Sequence, residues 1–502
     1  VTQKLDLMDI QGNVVRAYGR FNFPVARYLF LNVIAQAQGR KFITALLPQI
    51  TSSANWGAGP DEVPKPAVTT NIAFTYEGLK ALGLPGASLI GFQPEFMMGM
   101  KARKDILGDD GPSAPEHWDA IWQGDQVHIF ISLNAQDQAH LEKSYQQLLV
   151  LIANHPDSVM VLEGHRGDAA VDDLPYQDAS VLRTADDKPT SKEHFGYTDG
   201  IGDPVFEGLP CPPASVNGRG KQTDAGWLPL ATGEFILGHL DEAKEYPAAP
   251  SPVSFARNGS FLVYRKLHQN VGKFNELLDK EAKTYPGGRE LLAAKFIGRW
   301  RDNGAPLAST PDQKSKNAWD IIFNKAENPE KDNMLSNFTF DDDREGAKCP
   351  FSSHLRRINP RASMELDKDA FDTPGALSNR RRILRRGLPY GIAKDQTKND
   401  GNHGIIMMMI NVDINRQFEF IQQQWINYGN DFGAGNDKEI ILGNHNDVNP
   451  SKAVIQVDPD SDQPPYFVQN IPRLVETRGG DYFFIPGITA LRLIAKGLVD
   501  PT

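Results

Sequence analysis

Cysteine is almost absent from this chain. Cys211 and Cys349 are the only two in 502 residues, too few for a disulfide framework. No Cys-x-x-Cys-His run occurs, so a prosthetic group tied to the chain by thioether bonds is excluded. Long apolar runs are missing too: none approaches the roughly 20 residues that a membrane-spanning helix needs. Positive charge is in deficit. With 53 Lys and Arg against 63 Asp and Glu the formal net charge is −10, and no basic footprint for nucleic acid is visible. The chain starts at Val1 without an initiator methionine or a charged-then-apolar leader, which fits a processed secretory protein or a trimmed chain. Asn258-Gly-Ser and Asn337-Phe-Thr are glycosylation sequons that lean the same way. The expectation is an extracellular protein that engages neither nucleic acid nor membrane.

What is present is a soluble globular composition, 40% hydrophobic and 23% charged, on a chain too long for one ordinary core. Residues 26–33, 69–74, 125–133 and 158–162 read as strands, with helical patterns to about Leu47, over 76–82 and over 136–153. That order suits a split β-α-β unit of ferredoxin-like type. Pro and Gly concentrate over 208–221 and 246–259, which places a domain boundary near residue 225. The second half repeats the logic loosely. Strands are expected over 232–237, 259–264, 404–410 and 481–485, with helices over 270–283, 289–300, 415–425 and 490–495. The expected fold class is α+β: two ferredoxin-like domains, 1–225 and 226–502, with antiparallel sheets and helices.

Three stretches carry candidate chemistry. In Glu345-Gly-Ala-Lys-Cys-Pro-Phe-Ser-Ser-His354-Leu-Arg-Arg-Ile-Asn-Pro-Arg361 one histidine is followed by three arginines. A neutral imidazole ligates iron, and guanidiniums suit the carboxylates of a large anionic cofactor, which is what haem requires. A basic surface loop with an incidental histidine is the competing reading. In Gly196-Tyr-Thr-Asp199-Gly200 a carboxylate sits on a tight turn where glycine permits close approach to a ligand. An ordinary exposed turn would look the same. In Arg380-Arg-Arg-Ile-Leu-Arg385-Arg-Gly-Leu-Pro-Tyr390-Gly391 five arginines fall in seven positions, and the acidic background argues against a nucleic-acid contact.

Together, and in this order, the three stretches resemble those of the dye-decolorizing peroxidases, the fungal branch in particular. Leu5-Asp-Leu-Met-Asp-Ile-Gln-Gly12, Gly298-Arg-Trp300 and Phe418-Glu-Phe-Ile-Gln-Gln-Gln-Trp425 extend the likeness along the chain. The resemblance implies paired ferredoxin-like domains with non-covalent haem b between them. It makes His354 the proximal iron ligand, Asp199 and Arg385 the distal catalytic pair, and Arg361, Ile201, Ile405 and Met407 cofactor-lining residues. One departure stands out: where fungal relatives often carry Gly-Leu-Leu-Phe, this chain has Gly404-Ile405-Ile406-Met407. The implied activity is oxidation of bulky dyes, phenolics and Mn(II) by hydrogen peroxide through ferryl intermediates. Tyr390 and Trp425 are implied surface oxidation sites. Asp341, Asp342, Asp343 and Glu345 are a candidate Mn(II) site, since hard carboxylate oxygens suit that ion, although a solvated acidic loop would read alike. A haem carrier on the same fold is the alternative function.

Overall fold

Nine strands form one antiparallel sheet in the computed structural model, which describes residues 5–60, 62–167, 171–209, 211, 213–364, 375–448, 450–457 and 464–499. The first half supplies β1 (Val25–Val33), β2 (Val68–Phe74), β3 (Ile129–Ala135), β4 (Val159–Val161) and β5 (Gln177–Ser180). Helix α1 (Gln36–Leu46) follows β1, and α2 (Gln138–Ala153) follows β3. Side chains at nearly every position of β1 and β3 are buried, as expected of strands covered on both faces. Asp137 opens α2 by accepting a hydrogen bond from the His140 backbone N–H, which stops the strand pattern and starts the helical one.

The second half supplies β6 (Ser260–Gln269), β7 (Leu384–Tyr390), β8 (Gly404–Asn411) and β9 (Val475–Ile485). Between β6 and β7 lie α3 (Val271–Glu281), α4 (Gly288–Ile297), α5 (Gln313–Phe323) and the short α6 (His354–Ile358). The strand order across the sheet is β7-β8-β6-β9-β2-β3-β1-β4, with β5 also pairing with β1. Within each half the order is second, third, first, fourth, which is the ferredoxin-like arrangement. The halves join where β9 meets β2 at the pair Phe484–Phe74. Phe30, Phe130, Tyr264 and Phe483 pack with centroids 5.2–6.0 Å apart across this join and fix one half on the other.

Local expectations fail in two places. Residues 232–237 contain no strand: Thr232–Glu234 is a 3-10 turn, with Gly233 pressed against the backbone of 239–241 and Glu234 buried in an ion pair with Arg416. A short apolar run fits strand and buried turn equally. The helix expected over 415–425 is two wide π turns, Ile414–Glu419 and Ile421–Ile426. The buried Gln417 amide sits inside them, accepting from Val412 and Asp413 N–H and donating to the Glu234 and Arg382 carbonyls.

Candidate active site

Alternation along β7 decides which side chains reach the site. Arg385 faces a cavity of about 290 Å³, while Leu384, Arg386, Leu388 and Tyr390 face the opposite side of the sheet. Arg385 Nη1 donates to Asp199 Oδ1 at 3.3 Å, and Nη2 donates to the Ile201 carbonyl at 2.8 Å. Asp199 is held by its own turn, its backbone N–H donating to the Ser191 carbonyl. Gly200, at φ +79°, donates its N–H to Asp199 Oδ1. A side chain there would pay for a left-handed backbone that glycine adopts freely. Ile201, Ile405 and Met407 line the same cavity, as the resemblance implies. Asp203 braces the pair from behind: it accepts from the Arg385 backbone N–H and from Arg386 Nη1.

His354 lines the same cavity, at the start of α6. Its Nδ1 lies 3.4 Å from Oε1 of Glu439, a fully buried carboxylate. Burial pushes the Glu439 carboxyl up, but the His354 ring and the Ile441 and Leu442 backbone N–H groups outweigh it and hold the group below its ordinary range. An ionised acceptor at Nδ1 fixes the ring so that Nε2 is left for a metal. Nothing in the sequence singled out Glu439, which stands far downstream in an irregular segment.

The arginines after His354 divide by role. Arg356 is fully buried against Asp343, and Arg357 donates to the carbonyls of Phe351, Trp425, Tyr428 and Asp437, so both are structural. Arg361 instead lines the cavity, on a left-handed backbone at φ +53°. Arg299 and Arg382, to which no motif assigns a role, line it as well. Each of these three is under 10% exposed, and among the described residues each donates only to backbone carbonyls. Burial pushes Arg299 and Arg382 down to about 10, and Arg361 down as well; neighbouring guanidiniums add to this, while at Arg382 the Asp203 carboxylate opposes it. Buried cations without a bonded carboxylate are costly, and an anion in the cavity reduces the cost. Two propionates beside an imidazole and an apolar slot of Ile297, Leu355, Ile358 and Ile405 satisfy this donor set. The residues fit haem. The wall draws on both parts of the chain, though most of it is the second half's sheet and helices.

Two expectations need correcting. Tyr390 and Trp425 are 1% and 2% exposed, so neither is a surface site. Strand alternation turns Tyr390 into the core between the halves, and Trp425 packs under the π turns with its Nε1 on Asp431. The four acids before His354 do not converge either. Asp343 turns inward to Arg356, Asp342 pairs with Lys348, and Asp341 accepts from Gln222. Among the described residues no group of three or more acids, histidines or cysteines gathers as a metal site.

Residues 9–166 match the profile of the DyP dimeric alpha+beta barrel domain. Over 97% of its length the chain is 28% identical to Peroxidase 2 of Mycetinis scorodonius, covering 87% of that protein. It is likewise 28% identical to the multifunctional dye peroxidase DyP2 of an Amycolatopsis strain, covering 97% of this chain and 95% of that one. An ancestral D-type dye-decolorizing peroxidase superposes with a TM-score of 0.74 at 27% identity, covering 98% of this chain and 99% of the other. A fungal DyP-type peroxidase from Auricularia auricula-judae gives 0.73 at 23% identity, covering 98% of this chain and all of its own. With the fold, the ordered motifs and these relatives in agreement, the chain is similar along nearly its whole length to the DyP-type peroxidases, and its residues 9–166 carry the match to their dimeric alpha+beta barrel domain.

Proposed function

We propose that this protein is a haem peroxidase that uses hydrogen peroxide to oxidise dyes and phenolic compounds, with b-type haem held non-covalently by His354. The observation that carries the reading is that the Asp199–Arg385 pair and His354 line one cavity together with three buried arginines that make no side-chain ion pair among the described residues. Bound there, haem supplies the iron that takes up the two oxidising equivalents of peroxide. The chain's own residues handle protons and charge. Asp199 takes the proton from the inner peroxide oxygen and gives it to the outer one, which leaves as water. Arg385 stays charged, orients the carboxylate through Oδ1, and stabilises negative charge growing on the leaving oxygen.

A second cavity of about 190 Å³ abuts the first and shares Asp199, Arg385 and Met407 with it. Ser191, Lys192, Asn134 and Asp203 line it, which gives a small polar molecule such as peroxide a hydrogen-bonding surface beside the pair. Bulky dyes do not fit a cavity of this size, and oxidation at aromatic side chains is the narrower part of the reading. Since Tyr390 and Trp425 are buried, they would act as relays, not as contact points. Mn(II) oxidation is also a narrower part, and it would not use residues 341–345. Secretion is supported by Asn337, which is exposed; Asn258 is buried in bonds to Asp9 and His239 and offers no glycan site in the folded chain.

Stopped-flow absorbance of the haem-loaded protein with one equivalent of peroxide tests the reading. The expected result is a Soret change within milliseconds to seconds, followed by dye bleaching. A Soret band that ignores peroxide would point to a haem carrier, and no band at all would refute the cofactor.

A further inference from the structure

A thioether stands where the two cavities meet. Among the described residues three border both of them: Asp199, Arg385 and Met407. The first two carry the proposed peroxide reaction, and the third has no part in it. Alternation along β8 turns Ile405, Met407 and Met409 to the larger cavity and sends Ile406 and Met408 into the hydrophobic core. Of the three methionines in a row, Met409 borders only the first cavity and Met408 only the second. Met408 is 5% exposed, whereas Met407 keeps partial exposure.

Its neighbours leave that exposure uncovered. On β6 the residue paired with Met407 is Arg265, and on the edge strand β7 it is Gly387. Gly387 has φ +111°, and a Cβ there would fall 2.0 Å from the Ile406 carbonyl oxygen, so the position admits no side chain. Gly387 also lines the second cavity, and the flank of Met407 on that side carries no cross-strand side chain. A thioether sulfur is soft and easily oxidised, and its product is a polar, chiral sulfoxide in place of a flexible apolar side chain. Ile405, on the same face of the strand, has no atom that reacts in this way.

We propose that Met407 is a self-oxidation site: in the absence of an external reductant, the oxidising equivalents of one peroxide, taken up by the bound cofactor, convert its thioether to the sulfoxide. This rests on the haem-peroxidase reading. The step balances as R–S–CH3 + H2O2 giving R–S(O)–CH3 + H2O. The O–O bond breaks and an S–O bond forms. Sulfur loses two electrons, peroxide gains them, and both peroxide protons leave on the water, one of them moved by Asp199. Oxidation thus places an acceptor oxygen in the apolar wall that the two cavities share.

Peptide mass spectrometry provides the test, after the haem-loaded protein receives one equivalent of hydrogen peroxide labelled with heavy oxygen. Met8, Met98 and Met160 are internal controls, since they are 58%, 52% and 48% exposed and line neither cavity. Free peroxide marks methionines by exposure and would reach these three first. Oxidation at the site is expected to mark Met407 at least about tenfold above any of them, because its sulfur is held beside the reacting pair. The label should be found in that sulfoxide, and the preference should vanish in haem-free protein and while excess phenol is being consumed. Met407 no more oxidised than the controls, in protein whose Soret band responds to peroxide, overturns the site and leaves Met407 as packing. A preference that persists without haem, or undiminished during phenol turnover, overturns it too. A Soret band that ignores peroxide, or no band, refutes instead the reading on which the site depends.

Discussion

Asp199 is half of a bonded pair, and its oxygens can be changed without removing the partner. Asp199→Asn keeps an acceptor for Arg385 but cannot carry a proton, so the peroxide-dependent Soret change should slow by about 10²–10⁴-fold; a wild-type rate would remove Asp199 from the reaction. Arg361 gives a prediction of opposite signs. Arg361→Met removes a buried cation that pairs with no carboxylate among the described residues, so the haem-free chain should melt higher while the loaded protein loses haem about ten- to hundredfold more readily. Calorimetry of both forms and haem transfer to an acceptor apoprotein measure the two effects; parallel shifts would contradict an anion-holding role. Legibility at this scale followed local grammar. His354, Asp199 and Arg385 stand in compact motifs whose spacing can be read along the chain. Glu439 and Arg299 acquire meaning only from residues far away in sequence. Tyr390 was misjudged because its motif says nothing of which face of β7 it occupies.

The turn between β7 and β8 is pinned by histidines. His194 and His268 each pack against His403 with tilted rings, centroids 5.2 and 5.0 Å apart, and all three are under 10% exposed. His194 Nε2 bonds the Tyr390 carbonyl, and a ring nitrogen of His268 bonds that of His403. Facing them are Asp400, Glu476 and Arg478. Burial lowers His194 and His268 to about 4, well under the 6.5 of the unfolded chain. Between pH 6.5 and 4 the unfolded chain therefore binds more protons, and stability is lost as pH falls through that window, by about 1–2 kcal/mol per histidine at pH 5. Glu234 and Asp481, raised by burial to about 7 and 6, act in reverse and favour the fold when protonated. Denaturant unfolding at pH 5 and 6.5 should show His194→Gln narrowing the difference between the two; an unchanged difference would acquit the cluster. Strands with long apolar runs, such as β8, were legible at this scale. The π turns were not, because one buried glutamine side chain shapes them and no periodicity encodes it.

Two halves of equal strand order share one sheet, and buried ion pairs hold them together. Lys266 of β6 meets Asp119 of the first half at 2.6 Å with both side chains fully buried, and burial pushes the lysine down. Removing one partner strands the other, so Asp119→Ala should cost about 3–5 kcal/mol in urea unfolding. A cost under about 1 kcal/mol would mean that water reaches the seam. The duplicated order could be inferred from the succession of strands and helices. The merging of the halves could not, since it hangs on the Phe484–Phe74 pair, a contact between opposite ends of the chain.

Strand β9 occupies the middle of that sheet, although it follows every other strand of the sheet in sequence. Until residues 475–485 arrive, β6 and β2 each present an open edge, and the cavity lacks Val475 and Thr477. A chain cut before β9 would carry His354, Asp199 and Arg385 yet leave the two half-sheets unjoined and the cavity wall open where Val475 and Thr477 stand.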